Sequence, residues 1–245
     1  MNEPASVFRA LHHGRLPGDP LVLPGPWDAA SARVFEDAGF PALATPSAGV
    51  AASLGHADGQ TPASEMFAAV ARIVRAVSVP VSADVEAGYG LAPAELVDRL
   101  LEAGAVGCNL EDSADGALVD ARRQADRLAE VRALAGGHLF VNARVDTYVH
   151  GGPAAAGVEA ETVARALLYA EAGADCVYPI MAPADVLSRV AAAVPVPVNA
   201  LGVPDGPSGI RRLGELGASR ITFGPQLQRR AADAVRDVAG RLLGR

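Results

Sequence analysis

The sequence predicts a parallel (β/α)8 barrel, and three observations predict it. Short apolar runs alternate one by one with amphipathic runs, the order expected of strands and helices around a parallel sheet. Eight strand ends fall near residues 24, 45, 84, 111, 144, 179, 200 and 224, with room for a helix in each gap. The 245 residues are half hydrophobic, enough for one domain of barrel size spanning 1–245. A doubly wound sheet is the competing fold, but no glycine-rich phosphate turn follows the first strand at the dinucleotide-binding spacing.

A short helix over Val7 to Leu11 precedes the Pro17-Gly18 turn. Strand one is Leu21-Val22-Leu23, and Asp28 is placed to cap a helix over Ala29 to Ala38 that stops at Gly39. Strand two, Ala42 to Thr45, runs into a long polar loop holding Ser47, Gly49, Gly55, His56 and Asp58, too long for a plain connection. Ser64 is the expected cap of a helix reaching Val77. Strand three is apolar from Val79 and turns acidic through Asp84 and Glu86; Pro93 opens the next helix, closed by Gly104. Strand four, Ala105 to Leu110, ends in Glu111-Asp112-Ser113, followed by a polar loop with Gly116 and a charged helix from Asp120 to Leu134. Strand five is Leu139 to Asp146, then a loop from Gly151 to Gly157 and a helix from Glu159 to Ala172. Strand six is Cys176 to Pro179, with a helix from Pro183 to Val194. Strand seven is Val196 to Ala200, with a helix from Ser208 to Leu216. Strand eight is Arg220 to Gly224, and a closing helix runs from Leu227 to Leu243.

Composition removes several function classes. Net charge is -7 with no basic stripe, which argues against a nucleic-acid partner. No run of 18 apolar residues occurs and Met1-Asn2-Glu3-Pro4 does not open a signal peptide, so a cytoplasmic protein without membrane attachment is expected. Cys108 and Cys176 sit in apolar strands as small buried hydrophobes, outside any metal-type cluster. The chain contains no lysine. Schiff-base, P-loop and lysine general-base chemistry are thereby excluded, and an enolate would have to be stabilised by metal and arginine.

Barrel active sites form where strands end. Asp84 and Glu86, with Ser82, share one face of strand three by alternation. Asn109 and Glu111 end strand four, Asn142 and Arg144 strand five, Tyr178 strand six and Asn199 strand seven; Asp58 arrives on the loop after strand two. Converging carboxylates are costly without a cation between them, and a hard divalent ion prefers oxygen donors. Asp84 is therefore assigned as the direct ligand of Mg2+, with Asp58, Glu86 and Glu111 holding metal-bound water; Mn2+ satisfies the same reasoning. Arg144 is expected to grip a substrate carboxylate or phosphonate through its planar fork. Structural readings stand beside these. Asp84 and Glu86 alone could be a wet strand end, Glu111 a helix cap, Asp58 a turn stabiliser, and Arg144 the partner of Asp146 or Glu111. Asn142 and Asn199 could anchor loops, and Tyr178 could be pocket wall or proton donor; His56 and His150 are loop histidines without an assigned role.

Five stretches, in order, carry a resemblance: Pro24-Gly25-Pro26-Trp27-Asp28, Thr45 through Asp58, Asp84-Val85-Glu86-Ala87-Gly88-Tyr89-Gly90, Asn109-Leu110-Glu111-Asp112 and Asn142-Ala143-Arg144. Over nearly its whole length the chain resembles the isocitrate lyase/phosphoenolpyruvate mutase family. The resemblance implies magnesium-dependent making or breaking of C–C or P–C bonds beside a 2-oxo acid, with Trp27, Thr45 and Ser47 on the substrate side. It also implies a modified barrel whose last helix is exchanged between subunits of a homodimer or homotetramer.

The sequence departs from that pattern after strand four. The family's lyases carry a lysine- and cysteine-containing loop there, and its mutase a lysine and asparagine; Ser113 to Asp120 contains none of these. Pro46 also stands where a serine or threonine is frequent. The expected reaction is C–C cleavage of a 2-oxo acid or dicarboxylate through a metal-stabilised pyruvate enolate, either decarboxylation of oxaloacetate or retro-aldol cleavage. Arg144 and Asn199 would hold the departing group, with Tyr178 or water as proton donor. Phosphonopyruvate hydrolysis, mutase-type P–C chemistry and a non-catalytic 2-oxo acid-binding barrel are the alternatives.

Overall fold

The computed structural model describes residues 4–152 and 156–244. Met1 to Glu3 at the expected start, and Pro153 to Ala155 within the expected Gly151–Gly157 loop, lie outside the described residues. In chain order the elements are α1 (Pro4–Leu11), β1 (Leu21–Val22), α2 (Ala29–Asp37), β2 (Leu43–Ala44), α3 (Ser47–Leu54), α4 (Ala63–Val74) and β3 (Val81–Asp84). Next come α5 (Pro93–Glu102), β4 (Gly107–Glu111), β5 (Ser113–Ala114), β6 (Ala117–Leu118), α6 (Ala121–Ala135), β7 (Phe140–Val145) and α7 (Thr147–Gly151). The remainder are α8 (Val158–Glu171), β8 (Cys176–Pro179), α9 (Ala184–Ala193), β9 (Asn199–Leu201), α10 (Pro207–Glu215), β10 (Arg220–Thr222) and α11 (Gln226–Leu242).

Strands β2, β3, β4, β7 and β8 form one parallel run, and β9, β10 and β1 a second. A parallel bridge between Val177 and Val198 joins the two runs at one seam. At the other, the Ala44 N–H donates to the Pro24 carbonyl at 3.1 Å. The eight parallel strands thus curl into the expected barrel. β5 and β6 are an added antiparallel hairpin outside it.

Three local expectations are corrected. The stretch after β2 is not an open loop: Ser47–Leu54 is a helix, ended by Gly55 in the left-handed conformation at φ 88. The helix before β3 is capped at Pro62, with Ser64 inside its first turn, because Pro supplies a pre-set φ and gives up no needed N–H there. The Gly116 loop is the β5–β6 hairpin, turned by Asp115 and Gly116 at φ 52 and 77. The cap expected at Asp28 is present, its carboxylate accepting from the Ser31 N–H at 2.7 Å; the helix expected from Asp120 is capped by that residue, which accepts from the Arg122 and Arg123 N–H groups.

Alternation along the strands sends Leu43, Val81, Ala83, Leu110, Val141 and Val177 outward into the core shared with the helices. The inward set changes character from bottom to top. Helix α1 plugs the bottom with Phe8, whose ring meets Phe140 edge-on at 5.4 Å, while His12 stacks on Phe140 at 4.1 Å. A side chain at Gly107 would collide with the Phe140 carbonyl at 2.7 Å and with Phe8 at 3.3 Å, so the plug requires glycine there. Above lies a buried polar layer of Ser82, Asn142, Asn199 and Arg220. Arg220 donates to Asn109 Oδ1 at 3.3 Å and its guanidinium lies 5.9 Å over the Phe8 ring. Its charge sits beneath the acidic top of the barrel, with Asp84 among the groups that act on it.

Candidate active site

A cleft of about 400 Å3 opens at the C-terminal end of the barrel. Strand register brings its chemistry together. Asp84 stands beside Asn109, and two residues further up β4 Glu111 stands beside Arg144, itself beside Tyr178. All five line the cleft, joined by Thr45, Ser47, Glu86 and, at its exposed mouth, Asp58.

Asp84 is the best-braced group. Its Oδ2 accepts from the Ser47 hydroxyl at 2.9 Å and the Ser47 N–H at 3.2 Å, and its own N–H donates to Thr45 Oγ1 at 3.1 Å. Because Ser47 opens α3, the positive end of that helix faces the carboxylate. Glu86 follows in the left-handed region at φ 52, a conformation that costs a non-glycine residue about 1 kcal/mol and recurs at functional sites. Burial first, then the charges of Asp84 and Asp58, push its carboxyl up to about 7. Gly88, at φ 84, completes the turn, where a Cβ would meet the Arg127 guanidinium at 2.5 Å.

Arg144 is committed. Its Nε and Nη2 donate to Asp146 at 2.5 and 3.0 Å, and Nη1 pairs with Glu111. The structural pairing weighed for this arginine is therefore present, and it reaches the cleft already holding two carboxylates. Burial and Asp84 push Glu111 upward, against the pull of Arg144. Asp146 is fixed from behind: its N–H donates to Asp112 Oδ1 at 2.8 Å, and Asp112, fully buried, accepts from Tyr169 at 2.7 Å and pairs with Arg165 at 3.1 Å. Tyr178 is buried, and burial pushes its hydroxyl up to about 12, so it carries its proton at neutral pH.

Three expected substrate residues lie elsewhere. Trp27 faces an outer groove with Val34, Phe35 and Leu227, because the Asp28 cap turns the chain into α2 just after it. Asn142 and Asn199 are fully buried one layer below the cleft floor, where Asn142 donates to Asn109 Oδ1 at 2.7 Å and Asn199 to Thr222 Oγ1 at 3.1 Å. Asn109 and Thr222 occupy the floor instead. The wall formed by Val149, Ile180, Met181 and Pro225 carried no polar signal in the sequence.

Among the described residues, no three His, Cys, Asp or Glu side chains are grouped to ligate one ion directly. The cleft does gather four carboxylates, Asp58, Asp84, Glu86 and Glu111, around one arginine. Burial and then their mutual repulsion raise the Glu86 and Glu111 carboxyls, which fits a hard divalent cation with one direct carboxylate and water between it and the others.

Residues 8–243 match the family model described as phosphoenolpyruvate phosphomutase. The chain belongs to that family. A Mycobacterium tuberculosis protein without an assigned function is 37% identical over 221 residues, covering 89% of this chain and 81% of its own length. A 2-methylisocitrate lyase of Corynebacterium glutamicum, named as probable, is 33% identical over 190 residues, 73% of this chain and 61% of that protein. The crystal structure of 2,3-dimethylmalate lyase, a PEP mutase/isocitrate lyase superfamily member, superposes with a TM-score of 0.82 at 28% identity. It covers 99% of this chain and 88% of that one. Relatives in the superfamily are lyases and mutases of C–C or P–C bonds.

Proposed function

We propose that the chain is a cytoplasmic, single-barrel, magnesium-dependent lyase that breaks a C–C bond of a 2-oxo acid and releases a pyruvate enolate. The observation that carries this reading is Asp84, held by the Ser47 hydroxyl and N–H at the head of α3 in a cleft with three further carboxylates. Asp84 would hold Mg2+ directly, with Asp58, Glu86 and Glu111 on its waters. Bound Mg2+ supplies Lewis-acid polarisation of the 2-oxo group and charge stabilisation as the bond breaks.

The chain's own residues do the rest. Ser47 fixes the Asp84 carboxylate and Thr45 its backbone N–H, and the α3 N-terminus favours an anionic carboxylate at that end of the cleft. The Arg144–Glu111–Asp146 group holds the opposite wall rigid. Tyr178, protonated and buried beside Arg144, would deliver a proton to the carbon left by the broken bond.

A homo-oligomer completes the proposal. Helix α11 has no buried residue along its 17 positions, while Val235, Val238, Leu242 and Leu243 at its end are exposed. An amphipathic helix without a core to face is suited to exchange with a second copy, whose outer groove at Val34 and Phe35 is likewise open.

The test is incubation with Mg2+ and a panel of 2-oxo acids, following pyruvate. Release that stops with a chelator and falls at least about 100-fold in Asp84→Ala is expected. No turnover, with oxalate binding retained, would instead favour a non-catalytic 2-oxo acid-binding barrel.

A further inference from the structure

The cleft has two unlike ends. Ser47 and Asp84 stand on the β2–β3 side, while Val149, Ile180 and Met181 stand beyond β7 and β8, on the side a substrate's tail must face. That far side offers no free cation. Arg144, the one cation lining the cleft among the described residues, is already paired with two carboxylates, Asp146 and Glu111, so its charge is more than matched. An anionic tail would therefore enter beside Glu111 without a partner, a large desolvation cost.

The apolar side chains there are placed at a cost of their own. Met181 has left-handed backbone at φ 60 although it is not glycine, and its side chain stays 61% exposed at the cleft mouth. Val149 is exposed beside it at 44%. A strained, exposed methionine with Val149 and Ile180 on one wall of a polar cleft has a reason if an alkyl group covers it. Methionine also adapts its shape to such a group.

Resting on the proposed 2-oxo acid site, we infer that the substrate is a monoanion: a 4-hydroxy-2-oxo monocarboxylate whose chain beyond C4 is uncharged and apolar, so that the C3–C4 bond breaks as the C4 hydroxyl loses its proton and becomes a carbonyl while C3 gains a proton to give pyruvate. A second carboxylate or a phosphonate is disfavoured at that end.

The test is calorimetric titration of the full chain in saturating Mg2+. Oxalate serves as a probe without a tail, 2-oxohexanoate as the alkyl-tailed probe and 2-oxoglutarate as the anionic one. At least a ten-fold preference for 2-oxohexanoate over 2-oxoglutarate is expected. In Met181→Arg, which adds a cation to the wall, that preference should shrink or reverse. Equal or tighter binding of 2-oxoglutarate by the unmodified chain, with oxalate bound normally, overturns the inference and leaves the 2-oxo acid site standing. Failure of oxalate itself to bind overturns both.

Discussion

At the scale of single residues, the site depends on how Asp84 is held. Ser47 supplies two hydrogen bonds to one carboxylate oxygen, so Ser47→Ala removes the hydroxyl contact and leaves the N–H. Loss of such a supporting contact costs about ten-fold in metal affinity, readable by Mn2+ titration, with little change in melting temperature. Glu86 sets the pH dependence. Its carboxyl is raised from 4.5 to about 7, so the folded state binds a proton over that window that the unfolded chain has released. The metal-free protein then loses stability as pH rises from 4.5 to 7, and metal affinity rises as Glu86 ionises near 7. Glu86→Gln should flatten both profiles; an unchanged slope of Mn2+ affinity between pH 6 and 8, checked by titration over roughly that range, would contradict the assignment. Residue faces were legible from alternation alone: Asp84, Glu86, Glu111, Arg144 and Tyr178 all reach the cleft. Height was not. Asn142 lies two positions before Arg144 on the same face, which puts it a layer below the cleft.

At the scale of elements, α1 shows how a short helix closes a barrel bottom. His12 is packed on Phe140 and beside Phe8, with Nδ1 2.8 Å from the Phe8 carbonyl. Burial, then the Arg220 charge, lowers its imidazole from 6.5 to about 3. The unfolded chain accepts a proton below 6.5 that the folded chain refuses until near 3, so stability is full above 6.5 and lost as pH falls through that window. His12→Phe should lessen this acid sensitivity in thermal melts from pH 7 downward. The strands and most helices were legible because each carries a period or a cap, such as Asp28 and Asp120. Helix α3 was not. Ser47 to Leu54 is built of Ser, Ala, Gly, Val and Leu, too uniformly small for a helical stripe, and Gly49 within it and Gly55 after it read as loop. Tertiary contacts hold it instead: Val50 and Ala51 are fully buried, and a Cβ at Gly49 would meet Pro46 at 2.8 Å. Trp27 escaped for a similar reason, since sequence position near a strand end does not fix which way the following cap turns the chain.

For the whole molecule, the barrel separates stability from chemistry. Apolar side chains and a plugged bottom hold the lower half, while the upper half gathers carboxylates that only a cation can balance. Helix α11 extends this logic past one chain. It leaves the barrel near α3, sets only Leu227 at its start against the core and buries none of its residues, so a second copy is its expected partner. Light scattering should give a dimer or tetramer, and Val235→Asp with Val238→Asp should shift it toward monomer by placing charge in the contact; a wild-type monomer at micromolar concentration would remove helix exchange from the account. The central claim is that the carboxylate cleft is a metal-dependent site for a 2-oxo acid, and calorimetric titration of oxalate with and without Mg2+ tests it most directly. Oxalate should bind with Mg2+, not bind in a chelator, and be lost in Asp84→Ala; binding of equal affinity in the chelator, or unaffected by Asp84→Ala, would rule out a metal-dependent site.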